Sequence, residues 1–103
     1  MSSKKKQVRE AFRDAVFKRD KHMCVYCSCV TNLDAHHITD RTEMPNGGYV
    51  KENGISLCPQ HHMIAEKFHI SGGTEWIEGF HPNDLYKKIG STKELAIEKS
   101  ERL

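Results

Sequence analysis

No stretch of this 103-residue chain holds enough consecutive apolar residues to cross a membrane. Its opening, MSSKKKQVRE, runs from lysines into an amphipathic pattern without the apolar centre of a secretion signal. These absences predict a soluble, cytoplasmic protein with no membrane partner. Apolar residues are scarce overall, at 37% against 29% charged, and the mean hydropathy is −0.68. The length predicts one small domain, because a second core would need more chain. So polar a domain needs a staple, such as a metal ion or an oligomer contact. No internal repeat, no long linker and no low-complexity tract beyond Lys4–Lys6 interrupts it.

Cysteines are few, four in all, and three of them crowd into CVYCSC as Cys24, Cys27 and Cys29. That crowding suits a metal better than a disulfide framework and places the chain in a reducing compartment. Cys24-x-x-Cys27 is answered some thirty residues later by Cys58-x-x-His61. Two such pairs form a paired-knuckle spacing whose four ligands close a tetrahedral structural Zn2+ shell. Cys29 is read as a free thiol and His22 as a helix-end histidine outside the ligand set.

Charge is unevenly spread: residues 1–21 carry eight Lys or Arg against three acids, and the remainder of the chain is slightly acidic. The basic end, with Lys4, Lys5, Lys6, Arg9 and Arg13, is a candidate phosphate contact or a solvated helix face. Val8, Ala11, Phe12, Ala15 and Val16 recur at helical spacing and predict a helix to about Arg19. A short strand is expected over 32–38, a break at PNGG (45–48), a second strand over 55–57 and a helix over 60–68. Further on, Pro82 and Gly90 bracket a helix, and Ser91-x-x-Glu94 has the form of a capping box opening a last one. Trp76, Ile77 and Phe80 are expected to pack onto the preceding elements. The fold class is thus small α+β: a basic N-terminal helix (1–21), a stapled strand-loop-strand-helix core (22–70) and a C-terminal helical extension (71–103).

With zinc assigned, His36, His37, Asn53, His62 and Glu66 remain beside the knuckles and ask for a second site. His36 and His62 as ligands leave most of a divalent ion's shell open, which metal-assisted hydrolysis needs. His37 is then free to act as a base, its ordinary pKa of about 6.5 letting it take a proton from water at neutral pH. Glu66, one helical turn after His62, either joins the ion or is a surface glutamate. Arg41 either holds a phosphate or makes a surface ion pair. His69 nears the helix end and is left out of the ligand set.

The run AHHI (35–38), Asn53 within NGISLCPQHH (53–62) and the two knuckles together resemble the HNH endonucleases, which have a ββα-metal (His-Me finger) fold. The resemblance covers about residues 23–68 and extends to small phage and bacterial members. It implies a metal-dependent DNA endonuclease leaving a 5′-phosphate and a 3′-hydroxyl by nicking or low-specificity cleavage. His37 would be the general base, His36 and His62 the ligands of the catalytic ion, and Asn53 the middle residue, which in most members orients the base's loop and in some approaches the metal. His61 stands where many members have cysteine, and His36 where many have aspartate. The second difference softens a site for Mg2+ or Mn2+ towards Co2+ or Ni2+. The alternative is a zinc-stapled nucleic-acid-binding module with a vestigial site, and RNA is the other candidate substrate. Specificity would then come from partners: a second copy, or a phage or host protein.

Overall fold

The computed structural model describes residues 2–103 as four helices and one two-stranded antiparallel sheet, with no helix among them long and apolar enough to cross a membrane. Helix α1, Ser2–Arg19, begins a turn and a half before the periodic apolar residues, because lysine is a good helix former and nothing in KKKQ breaks the helix. Strand β1, Asp34–His37, pairs with strand β2, Gly54–Leu57, in the register Asp34 with Leu57 and His37 with Gly54. Three short 3-10 turns, Arg41–Glu43, Pro45–Gly48 and Lys51–Asn53, make up the loop between the strands. Helix α2, Pro59–Ile70, follows β2 directly, with Pro59 at its first position, where the missing N–H costs nothing.

Helices α3, Pro82–Lys88, and α4, Lys93–Glu101, close the chain. The capping box lies elsewhere than the sequence suggested. His81 Nδ1 accepts from Asn83 N, and Asp84 reaches back to the His81 N–H. Helix α4 is capped by Thr92, whose hydroxyl accepts from Leu95 N at 3.0 Å, because Ser91 spends its own hydroxyl on the Glu52 carbonyl at 2.9 Å. Trp76 and Ile77 are also a correction: they stay exposed, and only Phe80 of the expected cluster packs against the core. Trp76 meets Phe68 and His81 edge-on or tilted instead of being buried.

Ile38, Ile55, Leu57 and Leu85 form the apolar centre, with Ala65 of α2 and Ala96 of α4 packed against it. On the other face of the hairpin α1 lays Phe12 and Val16, both buried, across β2. Gly54 makes that approach possible: a Cβ there would lie 2.5 Å from Val16 and 2.8 Å from Phe12. The C-terminal end of α1 is tied down by Arg19, whose guanidinium donates to the carbonyls of Lys51 and Gly54, while Asp20 accepts from Ser56 N.

Candidate metal centres and active site

Cys24 and Cys27 lie on a tight turn closed by Ser28 N to Cys24 O and Cys24 N to Cys29 O. Cys58 follows β2 as the N-cap residue of α2, and His61 stands on the first turn of that helix. The four ligand atoms gather within 4.8 Å of one another. Cys27 Sγ to Cys58 Sγ is 3.7 Å, Cys24 Sγ to His61 Nδ1 is 3.6 Å and Cys58 Sγ to His61 Nδ1 is 3.2 Å. A zinc tetrahedron with bonds near 2.3 Å to sulfur and 2.0 Å to nitrogen has edges of about 3.8 Å and 3.5 Å, so the group fits a zinc ion. All four cysteines are free thiols. Cys29 stays outside the group, exposed, its sulfur 4.0 Å from the Thr31 carbonyl. Tyr26 stacks over His61 at 5.5 Å, with Phe80 on the same stack, and so fixes the ring plane of that ligand.

A second group joins His36 of β1 to His62 and Glu66 of α2. Strand alternation sends His36 towards α2 and His37 to the opposite face, under α1. His36 is 2% exposed, and neither of its ring nitrogens has a hydrogen-bond partner among the described residues. Glu66 Oε1 lies 3.1 Å from His36 Nδ1, off the line of an N–H, and 3.3 Å from His62 Nε2. A buried ring with two unpartnered nitrogens beside a carboxylate leaves donor atoms unused, and the group could hold a cation. Two imidazoles and one carboxylate suit a first-row divalent transition ion better than Mg2+. Burial pushes the pKa of His36 down, and the His36 ring holds the Glu66 carboxyl below its usual range.

Two participants were not read from the sequence. Asp34 Oδ2 lies 3.2 Å from His62 Nδ1, the carboxylate-histidine arrangement that fixes a ligand's tautomer and leaves Nε2 free. The available signal was the strand period, which puts Asp34 on the same face as His36. His69 is the second: its Nε2 lies 3.0 Å from the His37 carbonyl, and its ring stacks on His36 at 5.2 Å.

Asn53 is fully buried and uses its whole amide. Its Oδ1 accepts from Thr39 N and from the Tyr86 hydroxyl, and its Nδ2 donates to the carbonyls of Thr39 and Gly48. It therefore clamps the segment that leaves His37. Gly48 serves the clamp directly, with φ at +67° and no room for a Cβ, which would meet Asn53 Nδ2 at 2.7 Å.

His37 lies against Phe12, ring centroids 4.5 Å apart, with the Tyr49 ring edge-on at 4.8 Å. Its Nε2 is buried and unpartnered among the described residues. Burial, then the charges of His36 and Arg41, pull its pKa down to about 4, so the ring is neutral at pH 7. Arg41 donates to the Tyr49 hydroxyl at 3.4 Å, and the two cations Arg41 and Arg9, Arg41 foremost, lower the tyrosine's pKa. Around them a groove of about 970 Å3 is lined by Lys4, Lys5, Val8, Arg9, Arg41, Asn46, Tyr49 and Leu103. Four of the six basic residues picked from the sequence thus converge, whereas Lys6 and Arg13 are not among the lining residues. Arg13 lies over the Phe17 ring, 5.3 Å from its centroid.

No protein family, curated protein or solved structure matches the chain. The functional reading therefore stands on these residues and their geometry.

Proposed function

We propose that the protein is a metal-dependent HNH-type endonuclease with a ββα-metal core, hydrolysing phosphodiester bonds in DNA. The observation that carries this reading is the pairing of neighbours across one strand. His36 joins His62 and Glu66 in a three-residue group, while His37, the next residue, faces the other side of the strand as a neutral imidazole with an unused nitrogen. In this reading Cys24, Cys27, Cys58 and His61 hold a structural zinc ion whose binding contributes folding free energy.

His36, His62 and Glu66 would hold a divalent ion, which would supply charge neutralisation on the scissile phosphate and the leaving oxygen. His37 takes the proton from the attacking water. A base with a pKa near 4 is weak, but a bound phosphodiester places negative charge beside the ring and raises its proton affinity. Asp34 holds His62 in the tautomer that offers Nε2, and Asn53 holds the Thr39 backbone so that the strand end carrying His37 keeps its position.

The buried Nε2 of His37, flanked by Phe12 and Tyr49, favours a second reading: a zinc-stapled nucleic-acid-binding module without turnover. Supercoiled plasmid incubated with the protein and Mg2+ or Mn2+, beside a His37→Ala control, separates the two. Conversion to nicked or linear DNA by the wild type alone supports the nuclease. Equal, background conversion by both supports the binding module.

A further inference from the structure

We propose that the groove between α1 and the turn carrying Tyr49 binds a single-stranded nucleic-acid segment, which runs from there towards His37. The destination rests on the nuclease reading, while the binding does not depend on it. Lys4, Lys5 and Arg9 come from the first turns of α1 and Arg41 from the loop between the strands, and none of the described lining residues is acidic. The positive field is therefore assembled by tertiary packing, which a solvated charge run does not require.

Between the cations the groove floor carries the Tyr49 ring and Leu103, the latter 53% exposed. A duplex hides its base faces in the stack and offers a protein its phosphates and base edges, which leaves this apolar floor facing water. A single strand offers both surfaces at once, phosphates to the basic rim and an unpaired base face to the floor. The groove's size, about 970 Å3, lies at the upper end of sites that engulf a small ligand, and this admits a few nucleotides of one strand. Tyr49 connects the groove to the base: Arg41 donates to its hydroxyl, and its ring touches His37 edge-on.

The test is fluorescence anisotropy of the full chain with a labelled 12-nucleotide oligothymidine and a labelled duplex of the same length, without added divalent ions. The single strand should bind about tenfold more tightly than the duplex. With four phosphate contacts its log–log salt slope should be about −3, falling to about −1.5 in the double variant Lys4→Gln, Arg9→Gln, whose affinity should drop about tenfold or more. Leu103→Ser should weaken the single strand about threefold without changing the slope. Zinc content and circular dichroism of the variants should match the wild type.

Duplex binding as tight as the single strand, an unchanged slope in the double variant, or displacement of the oligonucleotide by polyglutamate of equal charge would each overturn the proposal. Plasmid left uncut by a wild type that still binds the single strand as described sinks the nuclease reading and leaves the groove standing. Plasmid cut by a wild type whose binding is indifferent to Lys4 and Arg9 does the reverse.

Discussion

His69 Nε2 lies 3.0 Å from the carbonyl oxygen of His37. A carbonyl has no proton to give, so Nε2 must be the donor, and this sets the tautomer of His69. The bond ties α2 to the end of β1 at the residue that carries the proposed base. His69→Phe, which keeps a ring stacked on His36 but removes the donor, should lower the single-turnover cleavage rate by on the order of tenfold while Mn2+ affinity is retained. His69→Gln should recover most of that rate. Equal rates for wild type and His69→Phe would show that the bond does no positioning.

The two histidines of β1 should separate in calorimetry. His36→Ala is expected to weaken Mn2+ binding by more than the 10- to 100-fold typical of losing a residue behind a ligand, and Asp34→Asn by about that 10- to 100-fold, since Asp34 acts through His62. His37→Ala should bind Mn2+ as the wild type does and lose cleavage. A His37→Ala variant with weakened Mn2+ binding would contradict the division of labour.

Metal analysis of the purified chain should find about one tightly held zinc per molecule. Cys58→Ala should lose that zinc and unfold, because closing the knuckles is coupled to folding. Cys29→Ala should keep both metal and fold. Stoichiometric zinc surviving Cys58→Ala refutes the ligand set.

These residues also show where the sequence is readable. The Cys-x-x-Cys and Cys-x-x-His pairs are local, so spacing alone exposes them, and strand alternation foretells that His36 and His37 diverge. Phe12 is legible as part of an apolar helix face, but the ring it covers is decided by how α1 crosses β2 at Gly54, which helical periodicity does not encode. His69 and Asp34 acquire their roles only when α2 docks against the hairpin. Ser91 has a sound capping signature, yet a carbonyl from a distant turn takes its hydroxyl.

The depressed pKa of His37, caused first by burial and then by the charges of His36 and Arg41, makes stability depend on pH. The folded state holds a proton at about 4, while the unfolded chain holds it near 6.5, so the unfolded state binds more protons between these values. Stability is full above about pH 6.5 and falls as pH drops towards 4. His37→Gln removes this titration. From pH 7.5 down to pH 5, the unfolding free energy measured in urea should fall by about 1–2 kcal/mol more in the wild type than in the variant, after allowance for the part of the ring that water screens. Parallel pH profiles for the two proteins would show that His37 does not titrate this way.

A disruption of the Asn53 clamp should appear first as lost stability. Asn53→Ala leaves Thr39 N and two carbonyls without their partner and the Tyr86 hydroxyl with Thr39 Oγ1 alone, and should cost about 3 kcal/mol or more in urea unfolding. Tyr86→Phe, which removes one of these bonds, should cost about 1 kcal/mol. A loss in Asn53→Ala no larger than that in Tyr86→Phe would mean that the clamp carries little of the loop's order.

His61 and His62 are consecutive residues of α2, yet one ring belongs to the four-residue group and the other to the three-residue group. Successive helical positions are turned by about 100°, and that rotation is all that assigns each imidazole to its group. The chain therefore tolerates substitution around these histidines far better than a change of length. One residue inserted or deleted between Cys58 and His61 would swing both rings off their targets together. A change of length by a single position would thus misplace both rings at once.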